Sequence, residues 1–518
     1  MLIDSSKLEP ANDLVTDICI VGGGAAGLIL AHELAQAGIE TLVLESGGLR
    51  STRDASRLVT ARAVTRPGFE LSGVRRRLGG SLGDWGANCS LLEPNDFAGP
   101  AESGSPRWPA PLACLNDYSA RAGLYLTGFE GFPHRDLIET SRLRPVDVST
   151  GLLGSDNTSQ LSEKLYLRGS KTSANQLICK LERTNQRIRI VVNSTVLKLD
   201  ISAGRVRGLT FAGRRGIQIS LRAQFFILAS GTENAPLLMR SLGTTTLEAR
   251  SKLPALGRWL HAHLLSLHGF VIPGRRREFL HRYMLPVTRD GIGESPQAWF
   301  AGLHVSGSQE RDRPRLATAM FFEPVLHGGK LLSRSSIARA RTWRAIPPWK
   351  HRALAPLAGT LLAGIARPTI YAVRHFMEQP PRWNAEVSLG PPAGPLGLPR
   401  PEFSWHVGEL EQSSMQANCS ELGPFLAAMD AGQLVEGERT GDTMSADFGR
   451  NVHPMGGTVM GSGINDSVVD QDLKVHGIAN LYICGGSVVP RSGTAMVTGV
   501  IAQLAMRLGD HLKQMVRN

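Results

Sequence analysis

The apolar and polar positions are most sharply patterned near the start of the chain, in TDICIVGGGAAGLILAHELAQAGIETLVLESGG, which begins at Thr16. Residues 17–21 predict a buried β-strand. From 25 to 37 the apolar period lengthens to that of a helix, with Leu28, Ala31, Leu34 and Ala35 on one side. Gly38 ends it, and residues 40–45 predict a second strand. Between 187 and 230 the pattern becomes short alternating runs separated by turn residues, which predicts a β-meander returning into a buried strand. The stretch FFILASGTENAPLLMRS continues as an apolar strand, Gly231, and a helix carrying Leu237, Leu238 and Met239. Residues 258–444 are less regular, and 385–407 predict two strands joined by a Pro/Gly-rich connection. Residues 480–484 predict an apolar strand, and a last helix runs from about 498 to 512. There is no internal repeat.

The first strand–helix–strand unit carries chemistry. Gly22, Gly24 and Gly27 form G-x-G-x-x-G at the strand-to-helix turn, with Ala26 in the first helical turn, and Glu45 follows eighteen residues after Gly27. Gly22 permits the tight turn, Gly24 lets backbone approach a pyrophosphate, and Gly27 lets helix and strand pack closely. The helix N-terminus offers N–H groups to phosphates, and Glu45 can accept from a ribose hydroxyl. This context points to a dinucleotide but does not separate FAD from NAD.

A second segment, RRRLGGSLGDWGANCSLLEPNDF over 75–97, has a glycine pair followed by Ser81, Trp85, Gly86 and Asn88, and predicts a loop. With it, the chain resembles the glucose–methanol–choline (GMC) oxidoreductases, nearest their sugar- and glycoside-oxidising branch. The resemblance implies a flavin loop at Gly80, Ser81, Trp85, Gly86 and Asn88. It also implies FAD held without a covalent bond, because Asp84 stands where some members attach flavin through a histidine. By the same resemblance Gly231 re-enters the cofactor domain and Val196 lies at the adenine edge. For Val196 a plain strand residue is the other reading.

The closing seventy residues match the family in order: NVHPMGGTVMG with His453, then VVDQDLKVHGIANLY, then Gly486, Ser487 and Pro490 before the final helix. The resemblance places His453 beside the flavin. An imidazole suits removal of a hydroxyl proton while a hydride leaves carbon for flavin N5. Where the family usually has Asn or His followed by Pro, this chain has Met496 and Val497. Met donates no hydrogen bond. His453 then works alone or with Thr494 or a residue of the substrate domain, or Met496 makes room for an apolar substrate, or ordinary alcohol oxidation has been lost. The expected active-site wall is Thr494 and Met496, and Val497 is expected against the cofactor.

The implied fold is α/β: a discontinuous FAD-binding Rossmann-type (glutathione-reductase-like) domain from 1–97, 187–257 and 445–518, with an inserted α+β substrate-binding domain from 98–186 and 258–444 built on an antiparallel sheet. The implied function is FAD-dependent oxidation of a CH–OH group of a sugar, glycoside or hydroxylated secondary metabolite. Two alternatives stay open: a flavin-retaining, non-redox enzyme such as a lyase, and an electron-relay or binding subunit.

Composition changes this picture in one place. The chain's 518 residues carry a formal net charge of +12, and 330–374 holds nine Lys or Arg and no Asp or Glu. That segment is a solvated surface, a dock for an acidic or electron-acceptor protein or a membrane surface, or a guide for an anionic substrate. No nucleic-acid module accompanies the charge, so no nucleic-acid partner is expected. The six cysteines include no C-x-x-C pair, and no metal site is expected. The uncharged stretch 353–366 is too short to span a bilayer. The first residues lack a basic and an apolar leader region. A cytoplasmic protein with a small-molecule substrate is expected.

Overall fold

In a computed structural model the described residues are 1–9, 13–52, 55, 62–63, 75–84, 88–97, 104–109, 113–127, 161–168, 177, 187–274, 279, 283, 287–288, 291–292, 298–307, 314–324, 326–327, 330–331, 371–435 and 450–517. Trp85, Gly86 and most of the basic stretch, 332–370, lie outside them, as does Cys179.

Two sheets organise the described residues. The first has eight strands, and its centre is the predicted unit: β1 (Leu14–Val21), helix α1 (Ala25–Gln36) and β2 (Thr41–Glu45). β1 and β2 are parallel, with Ile20 opposite Val43. β3 (Ile188–Val192) pairs parallel with β2, and β4 (Gln218–Leu228) pairs parallel with β1. Leu481–Ile483 adds to β4 in the same direction. Parallel strands with helices over them are covered on both faces, so they read as unbroken apolar runs; Ile18, Cys19, Ile20, Phe226, Ile227 and Leu228 are all fully buried. The predicted meander is real over Thr195–Ser202, Arg205–Ala212 and β4, joined antiparallel. Its first run, residues 188–192, belongs elsewhere: β3 lies beside β2 on the far side of the sheet. Alternation within one strand cannot say which neighbour it takes.

The second sheet has ten described strands, paired antiparallel. Among them are β5 (His261–Pro273), its neighbour Tyr371–Met377, and β6 (Arg450–Met455), which pairs with the start of β5. His453 therefore lies near the closing end of a strand. The 385–407 prediction appears as the hairpin Glu386–Ala393 and Leu398–Ser404. The last helix, α2 (Thr498–Arg517), packs on α1. Among the described residues no helix is long and apolar enough to cross a membrane, and no cluster of side chains could hold a metal ion.

Candidate active site

The cleft opens where the parallel strands end. Val21, Glu45, Ala229 and Gly485 mark the C-terminal ends of neighbouring strands, and all line a cavity of about 450 Å³. A crevice at the carboxyl ends of parallel strands is the expected ligand position in such sheets. Gly22, Gly24, Ala26, Glu45, Gly80, Ser81, Val196, Gly231, Gly486, Val497 and His453 all reach this one cavity.

The glycines divide their work. Gly22 has φ +116°, and a Cβ there would stand 2.5 Å from the Ala229 carbonyl oxygen, so the turn seats directly on the end of β4. At Gly27 a Cβ would meet the Gly22 carbonyl oxygen at 2.0 Å, which ties α1 against its own entry turn. Gly27 packs rather than lines. At Gly24 a Cβ would meet nothing within 4 Å. Gly24 is also the N-cap of α1 and provides no side-chain cap, so the first N–H groups of the helix face the cleft.

Glu45 is buried and braces this turn: its carboxylate accepts from the Gly23 N–H at 2.9 Å and the Gly47 N–H at 2.7 Å. Burial raises its pKa to about 7, offset in part by those N–H groups and by Arg76. Val196 lines the cleft, and its carbonyl accepts from Arg240 at 3.0 Å. Arg240 itself is pushed down to about 10, first by burial. Arg75, Arg76 and Arg240 are cleft residues that motif reading passed over. The run of arginines before the glycine pair was the available signal. These donors, the helix end and the open space over Gly24 suit a dinucleotide with a pyrophosphate.

Ser487 does not line the cavity. It joins the segments that do: its hydroxyl accepts from Thr458 Oγ1 at 2.7 Å and from Asn234 Nδ2 at 2.9 Å, and Asn234 Oδ1 accepts from the Ser230 N–H. Three stretches far apart in sequence are held together at that point. Asn88 sits in a short strand of the second sheet, and Asp84 ends the 3-10 turn Gly80–Asp84.

His453 owes its position to a β-bulge. On β5, His261 and His263 are two residues apart, while their partners on β6, Met455 and Val452, are three apart. The extra residue leaves the ladder. His453 takes φ +58°, a left-handed conformation that costs a non-glycine residue roughly 1 kcal/mol. Pro454 follows, and its missing N–H would have broken the ladder there in any case. A bulge re-aims a side chain; here it presents His453 on the cleft wall. His453 lines the cavity, and burial pushes its pKa down to about 4.

The expected wall lies one layer back. Met496 is buried with Tyr166, Ala319 and Phe376, and it is absent from the described lining, as is Thr494. The Met496 N–H donates to Ser90 Oγ at 2.9 Å, and Thr494 Oγ1 lies 3.1 Å from His304 Nε2. The polar neighbour of His453 comes instead from β5. His263 Nδ1 is 3.4 Å from His453 Nδ1, and its ring stacks on Phe376 at 4.2 Å. In sequence His263 was one of fourteen histidines, in a strand with no motif around it.

Comparison with known proteins bears on the fold and the cofactor domain. Residues 381–505 match the GMC oxidoreductase family, and 15–78 match an FAD binding domain. The chain is 23% identical to pyridoxine 4-oxidase of Microbacterium luteolum over 94% of this chain and 98% of that protein. It is 34% identical to the fructose dehydrogenase large subunit of Gluconobacter japonicus over 115 residues, which span 22% of this chain and only 20% of that subunit. The crystal structure of pyridoxine 4-oxidase from Mesorbium loti superposes with TM-score 0.58 at 19% identity, over 96% of this chain and 99% of that one.

Proposed function

We propose that this chain, an FAD-dependent oxidoreductase of CH–OH groups with a GMC oxidoreductase C-terminal domain, uses His453 as the base that takes the substrate's hydroxyl proton. The observation that supports the assignment is the bulge at His453, a residue of the cleft lining. Bound FAD would supply the redox chemistry by accepting hydride. The chain's own part is binding, orientation and proton removal. The N-terminus of α1 and Gly24 would face the pyrophosphate, and Glu45 a ribose. Val196 and Arg240 would lie toward the adenine, with Gly80, Ser81, Gly231, Gly486 and Val497 along the rest. Trp85 and Gly86 complete the flavin loop in this reading. The cofactor is held non-covalently, and 1–97, 187–257 and 445–518 act as its domain.

Burial holds this imidazole neutral at neutral pH, so its lone pair is unoccupied there. The non-redox alternative drew on the missing polar group at 496, and His263 now supplies a polar neighbour. We take the substrate to be a sugar, glycoside or hydroxylated secondary metabolite, with pyridoxine and D-fructose the first two compounds to try. A docking role for 330–374 rests on its charge alone.

The test is an alcohol panel followed by anaerobic bleaching of the flavin, then admission of air. A bleached flavin in the wild type, with reduction slowed about 10²-fold or more in His453→Ala, is the expected result. Equal rates in the two proteins would remove His453 from the chemistry.

A further inference from the structure

We infer that His263 is a positioning residue that fixes the proton of His453 on Nδ1 and so leaves Nε2 bare as the basic atom. The inference rests on reading His453 as the base. It starts from the far side of the His263 ring. There Nε2 lies 3.0 Å from the Gly493 carbonyl oxygen and 3.1 Å from Ser492 Oγ. A carbonyl oxygen only accepts. A lone pair on Nε2 would face it without a proton between them, so Nε2 carries the hydrogen and Ser492 Oγ shares it as a second acceptor.

His263 is fully buried, and burial is first among the causes that hold it neutral, with the neighbouring His453 next. A neutral imidazole protonated on Nε2 has its lone pair on Nδ1. That lone pair points at His453 Nδ1 across 3.4 Å. Two bare nitrogens would repel there, so His453 carries its hydrogen on Nδ1. The separation is long for a hydrogen bond, as such contacts often are before substrate closes the site.

The supports on His263 are rigid. Its ring is stacked on Phe376 and meets His453 edge-on, with centroids 5.5 Å apart and planes at 87°. The titratable groups against it are His453 from β6 and His261 from its own strand. His261 is itself tied by Nδ1 to the Trp259 carbonyl at 2.9 Å. Behind His261 stands Glu378, paired with Arg491. When Nε2 of His453 takes a proton, the Nδ1–H bond to His263 spreads the new charge, in the way a carboxylate orients a catalytic histidine elsewhere.

The test uses ¹⁵N-histidine-labelled, flavin-loaded protein, with ring signals assigned by their loss in His453→Ala and in the His263 variants. The wild type should show His453 protonated on Nδ1 and bare on Nε2, and His263 the reverse. His263→Asn keeps an acceptor oxygen near the old Nδ1, while His263→Gln keeps a donor near the old Nε2. The Asn variant should therefore hold the Nδ1–H form of His453 and the Gln variant should lose it, with the His453 midpoint at lower pH in Gln than in Asn. A residue that merely props the 492–494 loop would give the opposite ranking. A wild-type His453 protonated on Nε2, or an unchanged signature in His263→Gln, overturns the inference whatever the enzyme oxidises. A correct tautomer in a protein whose flavin no alcohol bleaches would overturn the catalytic reading of His453 and leave the pairing standing.

Discussion

At one end of the cleft, Gly22, Gly24 and Glu45 come from a single stretch of chain and act through backbone and one carboxylate. At the other end, His453 lines the cleft and is backed by His263, 190 residues away on β5, and behind that by the 492–494 loop, through two imidazoles, one hydroxyl and one backbone carbonyl. The first end tolerates almost nothing in its spacing because a fixed turn geometry makes it. The second depends on strand pairing, because it is β5 of the second sheet that brings a polar group to His453. In this chain Met496 is buried in an apolar cluster, and the polar neighbour of His453 is His263 on the second sheet.

Substitutions can break this contrast. Gly27→Ala should have the largest effect. Its Cβ has no room against the Gly22 carbonyl, so a loss of about 3 kcal/mol or more in thermal or denaturant unfolding is expected, with FAD retention lost as well. His453→Ala should leave unfolding near wild type and act on the rate of flavin reduction instead, as above. Met496→Asn restores the expected residue type but buries an amide among Tyr166, Ala319 and Phe376. A destabilisation of about 1–3 kcal/mol with no gain in reduction rate is expected, and a faster enzyme would return Met496 to the active-site wall.

Gly24→Ala sharpens the comparison at the nucleotide end. Its Cβ enters open cleft, so the unfolding midpoint without cofactor should hold while FAD affinity, by titration, falls about tenfold, or roughly 1.4 kcal/mol. The gentlest probe is pH. His453 must be neutral to take a proton, and burial has moved its pKa down to about 4 from 6.5, so the reduction rate should be lost only as pH falls toward 4. A limb near 6.5 would mean that the imidazole is as well solvated as a free one.

Much of the first sheet was legible because its signals are local. An apolar run, G-x-G-x-x-G, a helical period and Glu45 lie within one unit, and the structure assembles them in that order. Strand order was less so. Residues 188–192 have the composition of any buried strand, and only pairing energy across the sheet places them beside β2. In the second sheet, the antiparallel pairs bring together residues that no spacing relates.

The sequence by itself determined the glycine turn, the acid that braces it, the family resemblance and His453 as a candidate, since each depends on short-range geometry or on residue chemistry. The tertiary structure alone decided that His453 sits on a β-bulge, that Ser487 is a brace rather than a lining residue, that Thr494 and Met496 stand behind the wall, and that His263 faces His453. Those outcomes depend on register between distant strands. One extra residue in a ladder, invisible in a single strand's pattern, puts a histidine at the edge of the cleft.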